Sequence, residues 1–473
     1  MRQARRILGW FLLLFGACLL VAGASWAGNV DTYGIGSRAT ALGGAYAANA
    51  EGPFAAYYNP AGLTQTDRPV VSAGLMVISP DLEAKNYKVE NNNNYADNLG
   101  PTDVSDESDD LYPPHLGFAM PINDRWSVGL AAYAPFGLHL EWEENPHKNP
   151  MAYNTYESWY DRRVVTPTAA YKVNNQLSLG FGISLGRSTA GKKYNVYDVK
   201  NLAQVKAGGD PSFGDAATLE ADLTDDFNYS ANIGVMYKPA ENWNIGITYR
   251  SFTDADFDGD LEVNDVAQGV KKALDAKGLA LKDEYDASLD DVDHPDQVQL
   301  GVRFQPYKTL SMEVDVVWTR WSMIEEQTVD INDADEAVRT LLGEEKIDYK
   351  RDWEDTRQVR VGIEWQTTDM VTLRGGYFYD PSPIPDDTFD AQWPDADKKT
   401  YSLGAGFDIT DNWTVDTVVQ YTVVEQDRII GGESVELNDS YDSNVEGVEN
   451  DANVSTKADG DIWGYGLTVS YKF

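Results

Sequence analysis

"DIWGYGLTVSYKF", Asp461 to Phe473, decides the fold. Trp463, Tyr465, Leu467, Val469, Tyr471 and Phe473 share one parity; Gly464, Gly466, Thr468, Ser470 and Lys472 share the other. Side chains of a strand point alternately to its two faces. One face here is therefore apolar with aromatics at both ends, and the other is small or polar. An ordinary half-buried strand needs neither aromatic ends nor a terminal Phe. A strand crossing a bilayer uses both, because its outward face meets hydrocarbon and its ends meet the interfaces where Trp and Tyr settle.

The alternation recurs along the chain. Val359, Val361, Ile363 and Trp365 oppose Gln358, Arg360, Gly362 and Glu364. Leu177, Leu179, Phe181 and Ile183 oppose Ser178, Gly180, Gly182 and Ser184. The pattern predicts strands near 69–79, 114–121, 125–140, 161–173, 176–190, 228–239 and 242–257. Others follow near 296–306, 309–321, 355–367, 370–380, 398–410, 412–427 and 461–473. That makes fourteen, and an even count suits a bacterial outer-membrane barrel. Tight turn signals ("PINDRW", "KVNNQL", "KPAENW", "QPYKTL", "QTTDMV", "ITDNW") alternate with long segments, the asymmetry of periplasmic turns and extracellular loops. Trp126, Trp243 and Trp413 just after three turns read as an interfacial girdle.

The N-terminus sets the compartment. Arg2, Arg5 and Arg6 precede an apolar run from Ile7 to Ala24, and Ser25-Trp26-Ala27 offers small residues for cleavage. Residues 1–27 are expected to be a signal peptide. Beyond Ala27 no apolar run reaches the ~20 residues of a membrane helix. Cys18, the only cysteine, falls in the leader. Losing three arginines leaves the remainder more acidic still than the net −38 of the whole chain, which excludes nucleic acid as a partner. Much of the acid sits in the long segments, where it reads as a solvated face beside outer-membrane lipid and lipopolysaccharide.

"GGAYAANAEGPFAAYYNPAGL", Gly43 to Leu63, lies upstream of the first strand, compact, small and weakly charged. A barrel of this size has an aqueous lumen unless something fills it. Residues 28–68 are therefore expected to be a hatch within a barrel spanning 69–473.

At this point the chain resembles the FadL-type outer-membrane transporters of long-chain fatty acids and hydrocarbons. The likeness runs through "GIGSRATALGGAYAANAEGPFAAYYNPAGLTQTDRPVVSAG", with its Gly43-Gly44-Ala45 step, Asn59-Pro60-Ala61 motif and Asp67-Arg68-Pro69 entry to strand one. "ITYRSFTDADFDG", "VWTRWSMIEEQ" and "GGYFYDPSPIPDDTF" are similar to later family segments. The resemblance implies a monomeric fourteen-stranded all-β barrel with an internal N-terminal hatch, in the outer membrane of a Gram-negative bacterium. It implies passive diffusion of a hydrophobic small molecule, without cofactor or metal, and sideways exit at a kink in strand three. Independently of the family, Pro135 and Gly137 flank Phe136 in the middle of that strand, where proline removes a ladder donor and glycine weakens pairing.

Long-chain fatty acids are the leading ligands, with neutral aromatic or aliphatic hydrocarbons as the alternative. Inward-facing Arg250, Arg303, Arg360 and Arg374 are the head-group candidates. Acids of the same faces (Glu313, Asp315, Glu364, Asp408, Asp416) are equally able to hold them in a salt-bridge lattice. Val266, Val270, Ala273 and Leu274 predict an amphipathic helix in the fourth loop, which either helps form an outer capture groove or packs on its own loop. Asp254 to Asp265 has the spacing of a calcium loop but emerges from a strand. His115, His139, His147 and His294 form no recognisable catalytic or metal cluster, which leaves a barrel hydrolase an outside alternative.

Overall fold

The computed structural model describes residues 34–91, 99–199, 213–290, 292–343, 345–425, 430–431, 434–441 and 452–473. The expected leader, residues 1–27, and residues 28–33 of the expected hatch lie outside them. Fourteen antiparallel strands close into one barrel. They are β1 (Val70–Asn91), β2 (Pro114–Pro121), β3 (Trp126–Glu141), β4 (Glu157–Lys172), β5 (Leu177–Val199), β6 (Phe213–Ala240) and β7 (Trp243–Arg250). The second half is β8 (Gln297–Tyr307), β9 (Leu310–Thr319), β10 (Thr356–Gln366), β11 (Val371–Asp380), β12 (Lys398–Asp408), β13 (Trp413–Glu425) and β14 (Ala452–Lys472). β14 returns to β1, from Val70↔Lys472 to Asn91↔Ala452. Closure satisfies the backbone where no water can reach it.

Every expected strand is present, and the turn-side ends fall within two residues of their expected places. Of the loop-side ends, those of β1, β4, β5, β6, β7 and β14 depart by more than two residues, with β1 running on to Asn91 rather than 79 and β14 starting at Ala452 rather than 461. β5 and β6 run on together to Val199↔Phe213, far above the expected limits of 190 and 228. Their outward faces have left the lipid by then, so the apolar alternation that reveals a strand is no longer required. β7 instead stops at Arg250 rather than 257, because the chain turns to bridge Thr253 with His294.

Outward parity is as expected. Leu179, Phe181, Ile183 and Leu185 are exposed on β5, as are Trp463, Tyr465, Leu467 and Phe473 at the C-terminus. Trp126, Trp243, Trp365 and Trp413 ring the turn end, while Phe227, Tyr229 and Tyr401 stand toward the loops.

Inside the wall lie two helical turns, α1 (Ser37–Ala41) and α2 (Ala55–Tyr58), and a 3-10 turn, Pro60–Gln65. Ile35, Leu42, Tyr46, Phe54, Tyr57, Tyr58 and Leu63 pack against Ala119, Ala131, Tyr133 and Met236 of the wall. The N-terminal hatch therefore occupies the lumen. A second apolar cluster fills the upper barrel, with Tyr160, Phe257, Trp321, Trp353 and Trp393 among its rings.

The loops carry further structure. Residues Phe257–Asn264 form a strand paired with Glu284–Asp290 on one side and with β6 on the other. Residues Phe257–Asn264 of the calcium-like stretch are thus extended in a ladder, where successive acids of one face stand about 7 Å apart along the strand and cannot converge on one ion. Among the described residues no acid or histidine cluster could hold a metal. The expected helix is α3 (Gln268–Lys277), ended by left-handed Gly278. Leu274 is buried, and Val266 and Val270 lean on the upper cluster, but Ala273 is exposed. The stripe packs in part on the upper apolar cluster. Two more helices, α4 (Glu336–Leu342) and α5 (Val435–Asp439), cover the same end.

Candidate functional site

The hatch is held through its backbone. Asn59, wholly buried, donates to Ala47 O at 2.7 Å and to Val235 O of β6 at 3.1 Å, and accepts from Ala61 N at 3.1 Å. Pro60 follows as the first residue of the 3-10 turn, where no N–H is needed. Tyr46 and Ala47 N–H groups donate to Asp315 Oδ2 at 3.1 and 3.0 Å, and Ala48 N–H to Glu313 Oε1 at 2.6 Å. Glycines of the wall permit this approach. A Cβ on Gly180 would stand 2.2 Å from Ala61 N, and one on Gly376 would stand 2.1 Å from Gly43 N. Gly43 and Gly44 are glycines by conformation, at φ of 63° and 72°.

Strand three is the irregular part of the wall. β2 and β3 pair from Pro121↔Ser127 to Leu116↔Ala132. β3 continues to Glu141 against β4, with a register shift between Tyr133 and Phe136 that leaves Ala134 and Pro135 outside the ladder. On the β2 side, contact resumes only where Glu107 N–H donates to Glu141 O at 2.7 Å and Asp106 bridges Trp142. The wall thus has a window along Tyr133–Leu140, with Pro135 and Gly137 in its centre. Phe136 turns inward across it and stacks on His294, ring centroids 4.1 Å apart and 15° from parallel. Behind lies a cavity of about 30 Å³ lined by Tyr57, Tyr133, Arg162, Arg250 and His294 among others.

The four candidate arginines have four settings. Arg374 is committed to structure, pairing with Glu364 and Asp416 at 2.7 Å each. Glu364 also holds Arg38 of the hatch at 2.9 Å, so that lattice ties plug to wall. Arg360 lies over the Phe378 ring and against Gly44. Arg303 has a buried Nε without a hydrogen-bond partner, in a 340 Å³ turn-side cavity that also touches Arg38, Lys308 and Glu364. Arg250 donates to Gln297 Oε1 at 3.0 and 2.6 Å and to Tyr57 O at 3.1 Å, under the Tyr57 ring. Its hydrogen-bond partners among the described residues are neutral, as are those of a residue the sequence reading missed. Arg162, buried and in register with Phe136, donates to Asn228 Oδ1 at 2.8 Å and to Ser230 Oγ at 3.3 Å. Its inward parity with Thr166 and Thr168 was the available signal.

A second missed cation stands above the membrane. Lys192, 7% exposed, lies on the extension of β5. Its Nζ is 5.0 Å from the Tyr194 ring centre and 4.8 Å from that of Tyr349. It borders a 310 Å³ cavity walled by Tyr153, Tyr197, Leu342 and Glu436 among others. Burial brings its pKa down to about 8. Burial likewise pushes Glu436 up to about 7, although Lys350 N–H donates to it at 2.7 Å.

Residues 16–473 match the model of the outer membrane protein transport protein family (OMPP1/FadL/TodX). The chain belongs to that family. It is 24% identical over 430 residues to a long-chain fatty acid transport protein of Escherichia coli O6:H1, covering 88% of this chain and 87% of that one. It is 26% identical over 383 residues to outer membrane protein P1 of Haemophilus influenzae, covering 76% and 75%. Among solved structures, a Pseudomonas aeruginosa FadL homologue superposes with a TM-score of 0.72 at 20% identity, covering 95% of this chain and all of that one. The Pseudomonas putida toluene transporter TodX gives 0.64 at 15%, covering 94% and 100%. The protein is thus an outer-membrane β-barrel of a transport family, not an enzyme. The hydrolase alternative falls away, since the family and its named relatives are transport proteins.

Within this family member, the structure gathers Tyr57 of the hatch, Arg250, Arg162 and the strand-three window around one lumenal zone; the Gly43-Gly44 step and the Asn59-Pro60-Ala61 turn lie outside it. It places Arg303, Arg360 and Arg374 elsewhere on the wall, two of them toward the turn-side cavity.

Proposed function

We propose that this barrel carries long-chain fatty acids passively inward: capture among the extracellular loops, passage past the hatch, and sideways exit at the window of strand three. The observation that carries the acid reading is Lys192, a buried ammonium facing aromatic rings and a cavity, with no acidic partner within ion-pair distance among the described residues. A buried charge is costly unless paired, so a carboxylate entering that cavity gains an attraction that a neutral ligand does not. The aromatic walls beside it suit the alkyl chain, worth about 0.8 kcal/mol per buried CH₂. Arg162 and Arg250 offer a second cationic station near the window.

The same energetics favour sideways exit. Release into the periplasm would expose each methylene to water, whereas release into the bilayer would not. In this reading residues 1–27 are the cleaved leader, 28–68 the hatch and 69–473 the barrel, working as a monomer.

A neutral-ligand reading is favoured by the Tyr160, Trp321, Trp353 and Trp393 cluster, which needs no head group. The two are separated by binding of a fatty acid and of its methyl ester to the purified barrel, followed by tryptophan fluorescence. Replacing Lys192 by Met should weaken the acid and spare the ester. Equal binding of both by wild type and variant would favour neutral hydrocarbons.

A further inference from the structure

We infer that Phe136 and His294 are the two leaves of a gate on the lateral route, and that their contact sets the cross-section of what leaves. This rests on the sideways-exit reading above. The window in the β2–β3 ladder removes the hydrogen-bond barrier between Tyr133 and Leu140, yet it does not give a passage. The cavity behind it, about 30 Å³, holds roughly one water. What fills the opening is the ring stack. Phe136 belongs to the wall, and His294 belongs to the segment that joins the fourth loop to β8.

His294 is placed from three directions. Its backbone exchanges hydrogen bonds with Thr253, at 3.0 and 3.1 Å. The Tyr160 hydroxyl lies 2.5 Å from its Nε2. The Phe136 ring covers one face. Tyr160 in turn touches Phe257 of the fourth loop and Trp393 of the sixth, at ring distances of 6.2 and 5.6 Å. A hydrophobic ligand entering that aromatic cluster competes for the rings that fix His294. The gate is therefore coupled to the loops through Tyr160.

Opening has a selective chemistry. Apolar ligand atoms replace the ring contacts that Phe136 gives up, so the stack exchanges one apolar neighbour for another. A sugar or ion replaces none of them and leaves the rings facing a polar solute. The gate thus passes hydrophobic molecules and holds back polar ones even where the ladder is open.

The test joins the leaves covalently. Phe136→Cys with His294→Cys, in the mature chain that otherwise lacks cysteine, is treated with a short bis(methanethiosulfonate) reagent, which forms a reducible disulfide with each cysteine as methanesulfinate leaves. Uptake of a radiolabelled hydrophobic ligand by cells should fall to background on linking and return on reduction. A parallel variant, Pro135→Val with Gly137→Val, makes strand three regular while keeping both leaves. Normal uptake in the linked protein, together with loss in the regular-strand variant, would overturn the gate and leave lateral exit standing. Normal uptake in both would overturn both. As a separate reading of size selection, Phe136→Ala should raise uptake of fused-ring hydrocarbons relative to linear chains, with heat-modifiable gel migration unchanged. No change in that ratio would refute size selection by the gate.

Discussion

Gly180 and Gly234 stand where the wall meets the Asn59-Pro60-Ala61 turn, and replacing both by Ala should unseat the hatch while leaving the barrel intact. A Cβ on Gly180 would lie 2.2 Å from Ala61 N, and one on Gly234 would lie 2.1 Å from Asn59 Oδ1, where ordinary contact begins at 3.4 Å. The turn must therefore retreat by more than an ångström. Retreat costs about 1–3 kcal/mol per overpacked site. It also strains the two hydrogen bonds that Asn59 Nδ2 donates to Ala47 O and Val235 O, each worth about 1 kcal/mol. Together that is about 4 kcal/mol at the least, close to three powers of ten in the ratio of seated to unseated hatch. Alanine itself suits a strand better than glycine, so folding should not suffer. Gly375→Ala is the control, since its Cβ would meet nothing closer than 3.8 Å. Sugar-induced swelling of proteoliposomes and single-channel conductance in planar bilayers read the result. The double variant should leak and the control should not. A double variant that remains sealed, with its hatch amides as protected from hydrogen exchange as in wild type, would refute the account of how the hatch is held.

Other outcomes follow from the charges. Between pH 7 and 8 the outer cavity should lose affinity for acids, because Glu436 ionises above about 7 while Lys192 gives up its proton near 8; binding of a methyl ester should stay flat across that range. Arg162→Gln and Arg250→Gln should weaken acid uptake more than hydrocarbon uptake, whereas Arg374→Gln should lower thermal stability and impair both ligands alike, as scored by the gel-shift midpoint beside uptake. Deleting Gly43 to Leu63 should convert the barrel into a pore for small polar solutes, and unchanged swelling rates would mean the segment is not a plug.

The membrane-spanning part of the fold was legible because lipid imposes a rule on every outward residue. Trp463, Tyr465 and Leu467 had to be apolar, and the alternation announced them. Above the lipid that rule lapses. "FGDAATLEADLTDDF" reads as an acidic loop yet forms the upper half of β6, because its partner on β5 supplies the ladder. The inward parity of Arg250, Arg360 and Arg374 was equally legible, and all three are buried. Their partners were not. Arg374 meets Glu364 on one neighbouring strand and Asp416 two strands away, a matter of register that no local pattern carries. The Pro135-Phe136-Gly137 break showed in the sequence because proline and glycine act on the backbone itself. His294, which closes that break from across the lumen, gave no local signal.

A passive carrier of apolar molecules faces two demands that conflict at a single barrier: seal against water and ions, yet yield to a ligand that brings no energy. Here the demands fall on different contacts. The hatch is sealed by hydrogen bonds and ion pairs, from the Tyr46 and Ala47 N–H groups to Asp315 and from Arg38 to Glu364. Breaking those without replacement strands polar groups, at about 1–3 kcal/mol each, and a hydrocarbon chain offers no replacement. Across the strand-three opening, over a stretch where the ladder is absent, the wall meets His294 through a ring stack. Ring contacts are what an apolar ligand can replace and a polar one cannot. If selectivity resided in the hatch, the ligand would have to break the bonds it is least able to compensate. With selectivity in the Phe136–His294 stack, it displaces contacts of its own kind and emerges beside hydrocarbon.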